Sequence, residues 1–470
     1  MALSPTGRIS EMDQPVTHRP VTWDTSKMDV KRVVDVIRVT PDNNPGRTPV
    51  DKAPDPQLGH DVIPAERYYS EAFMKLEWEQ VWSKVWLLGG RADDIPSPGD
   101  YICTEIGKES VLIVRQHDGS LRCFPNVCLH RGNRLRPEGI GNAQAFRCMY
   151  HHWTYGLDGK IERLPDLCTF PQGGPPGMAL PSLPVTEWNA FVWFSLNPEV
   201  EPFDDYIAPL KDHLEPYHPE RMAWKRDVTV EWDCNWKASV DAFNETYHVQ
   251  GIHPQLQWYL DDVNVQIDCY ERHNRYLIPF AAISPRVAMP SAIPPAIEEI
   301  MRHAGMDPAE YEGRVSDIRR DVQLFKRKHG KAQGKDYSAL NDDQLTDDYH
   351  YMIFPNVALN VHADDIMMFR QRPHASDPNK MLYDVWVFEL VPEGEPWPAR
   401  VKHRRFRHGE RSIGQVLDQD AYNLPTVQAG MQSSGFPGLW IGEQELRIRH
   451  FHKVLDDYIY GPGGKQSGDL

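Results

Sequence analysis

Seven cysteines in 470 residues are too few, and odd in number, for a disulfide framework. Thiols this sparse point instead to metal binding or catalysis in a reducing compartment. The chain also lacks any run of about 18 apolar residues, the length a membrane span needs, so no membrane association is expected. No apolar segment follows the first methionine; no secretory signal is expected, and the expected location is cytoplasmic. A basic excess is missing too, since 51 Lys plus Arg face 67 Asp plus Glu, a formal net charge of -16. That balance argues against a general nucleic-acid binder. There is no internal repeat, and no Gly-x-Gly-x-x-Gly stands at a strand-to-helix junction, where a dinucleotide would bind. What remains is an acidic protein about three times the usual single-domain length, hence two or three domains.

Residues 1–60 are rich in Pro, Asp and Thr with little hydrophobic period, and read as a disordered or domain-wrapping arm. Tyr69, Phe73, Leu76, Trp82 and Trp86 recur at roughly helical spacing, which predicts an amphipathic helix over 68–86. It leads into a first domain, residues 61–200, whose signals are β. Val111 to Val114 and Leu121 to Phe124 flank the turn dipeptide Asp118-Gly119, and Asp158-Gly159 marks a second hairpin. Residues 173–177 are a Gly/Pro loop. A second domain, 201–460, alternates helical patterns (233–247, 296–303, 314–328) with strands, clearest at 358–361 and 382–390. The polar, Lys-rich stretch 326–348 reads as a surface insertion, and 461–470 as a frayed tail. The expected fold class is α+β.

Two residue constellations carry chemistry. In the first, Cys128-Leu129-His130 is followed after seventeen residues by Cys148-Met149-Tyr150-His151. Thiolate and imidazole suit zinc or iron–sulfur. A structural zinc staple is the plain reading, but the familiar ββα finger has both cysteines in one pair and both histidines in the other. One Cys and one His per loop suits a two-iron cluster in which one iron takes both thiolates and the other both imidazoles. The segments Cys128 to Gly132 and Cys148 to Tyr155 closely resemble the two cluster loops of Rieske proteins. That family usually has Gly after the second His, and here it is His152; the two-residue gap from Cys148 selects His151. Cys103, Cys123, Cys168, Cys234 and Cys269 have no paired spacing and read as core residues.

The second constellation is a helical run reaching Glu245 and His248, then His253-Pro254. Glu245 and His248, three apart, share a helix face. His248 and His253, five apart, point about 140° away from each other on an unbroken helix. One metal can take both only if the helix ends between them, at Gly251 or Pro254. Asn-Trp-Lys, then Asp-x-x-Phe-x-Glu-x-Tyr-His-Val-x-x-x-His, resembles the catalytic segment of Rieske non-haem iron oxygenases, specifically their large alpha subunits. Gln419-Asp420-Ala421-Tyr422-Asn423 resembles that family's third-ligand segment and makes Asp420 the carboxylate; Asp418, Asp364 and Asp365 are rivals. A rival di-iron motif, Glu215 with His218, is spoiled by Pro216 inside its helix.

The resemblance covers roughly residues 65–460. It implies an antiparallel β Rieske domain ahead of a helix-grip catalytic domain with a curved antiparallel sheet, in a homotrimer with or without a small β subunit. It implies a 2Fe-2S cluster on Cys128, His130, Cys148 and His151, and Fe(II) on His248, His253 and Asp420. Two His and one carboxylate leave positions open for O2. Glu245 would stand where the family bridges a cluster histidine and an iron-ligating histidine across a subunit boundary, and carry electrons between them. The electrons would come from NAD(P)H by way of a separate reductase, with or without a ferredoxin. Arg131, Arg134 and Arg136 make a basic edge for an acidic donor. Asp241, Ala242, Val249 and Leu256 flank the iron ligands and are the expected pocket lining. The implied reaction is cis-dihydroxylation or monohydroxylation of an aromatic or other hydrophobic ring, with O- or N-demethylation as the alternative. A carboxylated substrate would want a buried Arg, and the sequence places none. Two other classes stand against this reading: a purely electron-transferring Rieske protein, which would not need the residues after Glu201, and a colourless zinc-stapled binding protein.

Overall fold

The structure, a computed structural model, describes residues 52–54 and 56–463. The expected arm up to residue 51 and the tail from 464 onward lie outside the described residues. The described chain divides into two compact units. One comprises Met74–Ala208 with Pro373–Asp377, and the other takes the rest.

Helix α1 (Glu71–Glu77) runs on as a π turn over Trp78–Trp82 and stops there. The expected helix is therefore shorter, because Trp86 already opens strand β1 (Trp86–Arg91), where all six residues are buried. Next come β2 (Asp100–Ile106), β3 (Glu109–Arg115), β4 (Leu121–Pro125), β5 (Gly139–Asn142), β6 (Phe146–Arg147), β7 (Thr154–Tyr155), β8 (Ile161–Arg163), β9 (Val185–Trp188), β10 (Phe191–Ser195) and α2 (Phe203–Ile207). They form three antiparallel sheets, ordered β1-β10-β9, β4-β3-β2-β5 and β6-β7-β8. Both Asp-Gly pairs sit in hairpin turns, between β3 and β4 and between β7 and β8. Leu112, Val114, Phe124, Phe146, Trp153 and Tyr155 pack around Cys128 and Cys148 in one apolar cluster. Each such side chain contributes about 1.5–3 kcal/mol on burial, which lets short strands hold long loops.

The second unit adds α3 (Leu210–Leu214), β11 (Met222–Trp232), α4 (Trp236–Ala242), α5 (Val249–Ile252), β12 (Gln266–Cys269), β13 (Asn274–Ile278), α6 (Pro295–Ala304), α7 (Ile318–His329), β14 (Asp348–Ile353), β15 (Val357–Val361), β16 (Asp365–Pro373), β17 (Met381–Leu390), β18 (Arg404–Arg407), α8 (Gln415–Met431) and α9 (Leu446–Tyr460). Its eight-stranded sheet has the order β12-β13-β14-β15-β16-β17-β11-β18. Strands β12 to β16 meander antiparallel, β11 is antiparallel to β17, and β18 lies parallel to β11. Helix α9 packs on β12 and β13, and α4 packs on α8. This is the helix-grip arrangement.

Three expectations change here. Residues 61–73 cluster with this unit rather than with the β domain. Arg67 pairs with Asp456 at 3.3 Å, Tyr68 hydrogen-bonds Asp241, and Ile63 bridges to Leu439. The helix expected over 233–247 is only α4, after which the chain turns before α5. The stretch 326–348 is only partly a surface segment. Lys326 and Lys335 reach the buried Asp364 at 2.7 and 2.9 Å, and Tyr337 hydrogen-bonds the same carboxylate at 2.6 Å. Arg319 likewise holds Asp343 and Asp347, so part of the charge in this stretch is buried in pairs, while Lys328, Lys331 and Asp336 are exposed.

Candidate metal centres

In the first unit, Cys128 and Cys148 open two loops closed by the same backbone bonds. Gly132 N–H donates to Cys128 O and His152 N–H to Cys148 O, both at 3.0 Å. Cys128 N–H donates to Asn133 O and Cys148 N–H to Trp153 O, both at 2.8 Å. Each loop needs a left-handed residue at its fifth position. Gly132 supplies it at φ 75° and His152 at φ 60°. His152 thus takes glycine's conformation, at a cost of about 1 kcal/mol.

Both thiols are buried, while His130 and His151 are half-buried with ring centroids 4.5 Å apart. Burial pushes the Cys128 thiol pKa up, and the Tyr155 hydroxyl 3.3 Å away and the His130 N–H pull it down. Burial is the larger effect, so the thiol pKa is raised on balance and the two donors offset it in part. His130 stacks on Trp153, its centroid 4.9 Å away and 8° from parallel, and its Nδ1 is buried without a partner. An orphaned ring nitrogen beside two buried thiols fits a metal cluster, which would satisfy all three. Of the remaining cysteines, Cys103, Cys123, Cys234 and Cys269 are buried as expected, but Cys168 is exposed.

The second centre lies wholly in the second unit. Asn235 caps α4 by accepting from Lys237 N–H at 3.0 Å, and the helix ends at Ala242. Glu245 and His248 therefore meet on a turn, not on a helix face. Glu245 accepts from the His248 backbone N–H at 2.9 Å and from His248 Nδ1 at 2.5 Å. Gly251 does not break the next helix; α5 includes it and ends at Ile252. His253 leaves the helical region, φ -123° and ψ 52°, as the residue before Pro254 must. The rings of His248 and His253 then meet edge to face, with centroids 5.0 Å apart.

Asp420 reaches the same point from α8, 167 residues beyond His253. Pro425 sits inside that helix and cannot donate to the Ala421 carbonyl one turn back. Trp232 Nε1–H donates to that carbonyl at 3.2 Å instead, tying the turn that carries Asp420 to β11. Asp420 Oδ1 lies 2.9 Å from His253 Nε2 and 3.8 Å from His248 Nε2. The three side chains offer ligand atoms within 4.8 Å of one another. Each histidine has an acceptor for Nδ1–H, Glu245 for His248 and Gln419 Oε1 at 2.8 Å for His253, so each Nε2, which faces the Asp420 carboxylate, can give up its proton to a bound cation. Burial opposes a charged His248, but Glu245 and Asp420 outweigh it and lift its pKa to about 9. A site that stabilises a proton this strongly has the negative potential and converging donors that fit a divalent cation. Gln419 was legible only as the neighbour of Asp420; nothing in the sequence marked it as the acceptor for His253.

The rivals are otherwise engaged. Asp418 accepts from Ser412 and Ile413 at the start of α8, Asp365 from His362, and Asp364 holds two lysines. His218 is exposed and pairs with Glu220. Ala242, Val249 and Leu256 line a cavity beside the triad, together with Phe243, Phe280 and Phe369. Asp241 lines a second cleft, which shares Ala242, Glu245, His248 and Asp420 with this cavity, and its carboxylate is held by Tyr68 and His452. In the first unit, Arg131 lies over Tyr150 and exposed Arg134 pairs with Glu105. Arg136 turns inward, packing on Phe146 and donating to the carbonyls of Leu135 and Ala145, so it leaves the expected basic edge.

Comparison with known proteins agrees with this division. Residues 85–182 match the Rieske 2Fe-2S domain, and residues 219–461, just over half of the chain, match the ring-hydroxylating alpha subunit catalytic domain. The chain belongs to the family of ring-hydroxylating alpha subunits. The glycine betaine monooxygenase oxygenase subunit of Pseudomonas aeruginosa is 31% identical over 199 residues, 41% of this chain but only 45% of that protein. The biphenyl dioxygenase subunit alpha of Paraburkholderia xenovorans is 23% identical over 420 residues, 78% of this chain and 79% of its own. A quaternary ammonium Rieske monooxygenase solved with L-carnitine has a TM-score of 0.61 at 18% identity, covering 87% of this chain and 99% of that one. At that identity the likeness is one of fold. Among the described residues, no helix is long and apolar enough to cross a membrane.

Proposed function

We propose that this chain is the terminal oxygenase component of a multicomponent Rieske system in the cytoplasm. Cys128 and Cys148 hold one iron of a 2Fe-2S cluster and His130 and His151 the other, while His248, His253 and Asp420 hold a mononuclear Fe(II). When bound, the two centres supply electron delivery and O2 activation for hydroxylation or demethylation of an organic substrate. The observation that carries the reading is the convergence of His248, His253 and Asp420 within 4.8 Å, with both histidines oriented through Nδ1.

The protein's own residues divide the work. Gln419 and Glu245 fix the imidazole tautomers, so that Nε2 is the ligand atom on each ring. Glu245 lines both the outer cleft and the inner cavity, so electrons reaching the cleft side have a short path to His248. Met149 and Tyr150, 72% and 54% exposed beside His151, give the cluster loops an apolar face for a neighbouring subunit of a homotrimer. Arg131 and Arg134 form the edge where an acidic reductase or ferredoxin docks; charge reversal there should slow electron transfer and flatten its salt dependence. The buried apolar walls around the triad exclude water and hold the substrate.

Single turnover tests the reading without a partner. Holoprotein reduced chemically, freed of reductant and mixed with 18O-labelled O2 should put label into a bound substrate or its released fragment. Reoxidation of both centres with no labelled product from ring, carboxylate and quaternary ammonium compounds would overturn it.

A further inference from the structure

The cavity beside the triad has one wall that an apolar substrate would leave unsatisfied. Strand pairing aligns Tyr276, His350, Asn360 and Met367 across β13 to β16, and all four line the cavity with His248, His253 and Asp420. His350 and Asn360 are direct partners on adjacent strands, so their side chains stand side by side. His350 Nε2 and Asn360 Nδ2 are both buried and have no partner in the protein.

The proton on His350 can be placed. Arg447 Nη2 lies 2.9 Å from His350 Nδ1, and a guanidinium has no acceptor, so Nδ1 accepts and the proton sits on Nε2. Two neutral donors therefore stand together on the wall. Behind them Arg447 is 1% exposed, donates to Asn274 Oδ1 at 2.6 Å and lies over the Tyr276 ring at 4.0 Å. Among the described residues it makes no ion pair. The acid on the same strand face, Asp348, has its Oδ1 3.9 Å from His362 Nε2, and that imidazole is itself bonded to Asp365 at 2.9 Å. Asp348 lines the same cavity with its Oδ1 buried and without a hydrogen-bond partner; burial pushes its carboxyl toward the neutral form, and what charge it keeps acts on Arg447.

We infer that this wall selects a substrate carrying a carboxylate, whose oxygens accept from His350 Nε2–H and Asn360 Nδ2–H with the Arg447 charge behind them. The rest of the substrate lies against Ile278, Leu256 and Phe369, toward the triad. A buried pair of unmet donors costs free energy until an acceptor arrives, and a charged acceptor gains most from them. Arg447 is the buried arginine that the sequence alone does not place, acting one residue removed through His350.

The inference rests on the oxygenase reading and is tested apart from it. Anaerobic holoprotein is titrated calorimetrically with two matched pairs, benzoate against toluene and glycine betaine against tetramethylammonium. In at least one pair the carboxylate member should bind about tenfold more tightly or better. Asn360→Leu, which keeps the side-chain volume, should erase that preference, and His350→Phe should do the same. Equal binding within both pairs, as ordered water on the wall would give, overturns the inference. So does failure of all four to bind, or a preference that survives both substitutions. Iron and cluster absorbance are measured on the same samples: metal present with no preference sinks the inference alone, whereas absent metal sinks the oxygenase reading.

Discussion

The two centres are built in opposite ways. In the β unit each loop brings its own Cys and His within four residues and closes itself with two backbone bonds, so the donor atoms are placed by local structure. In the helix-grip unit no segment is sufficient. The histidines flank a four-residue helix, the carboxylate arrives from α8, and Glu245 and Gln419 set the ring orientations. The lesson is that a self-closing loop tolerates change around it, whereas a converging site depends on residues that touch no metal.

That contrast can be broken at several points. Cys148→Ser should abolish the cluster's visible absorbance outright while iron at the triad persists, as metal analysis would register. Asp420→Ala should do the reverse, emptying the triad and leaving the cluster's colour intact. A substitution that empties both centres would contradict their independence. Gln419→Leu keeps every ligand but frees His253 Nδ1, and should weaken iron binding by about 10–100-fold in a chelator competition.

Smaller effects sharpen the same comparison. Burial opposes ionisation of Asp364, but Lys326 and Lys335 hold its carboxyl far below the usual range. Its folded pKa is depressed, so its contribution to stability is full above the unfolded value, near 3.9, and is lost as pH falls below it. Asp364→Asn should cost about 3 kcal/mol in urea unfolding at neutral pH, and part of the acid sensitivity of this unit should vanish with it. His152→Gly should stabilise the β unit by about 1 kcal/mol in thermal melts and leave the cluster spectrum unchanged, because only backbone strain is relieved.

The sequence was most legible where structure is local. The Cys/His loops, the Asp-Gly turns and the strands at 357–361 and 381–390 all stand where short-range signals put them. It was least legible where distant pairing decides. Lys326 and Lys335 look solvated until Asp364 answers them. The helix reaching Glu245 looks continuous because its periodicity survives a break that only capping and the following turn impose. Asp420 was found through family resemblance, since no spacing links it to His253. The donors His350 and Asn360 went unseen because polar residues facing the interior of a sheet look, in one dimension, like an exposed strand face.

The most direct test of two distinct iron centres is metal and sulfide analysis of anaerobically purified protein, joined to EPR before and after reduction. The account predicts three irons per chain, two in the cluster and one at the triad, with a reduced-state signal of a His-ligated two-iron cluster. One zinc per chain and no signal would contradict it.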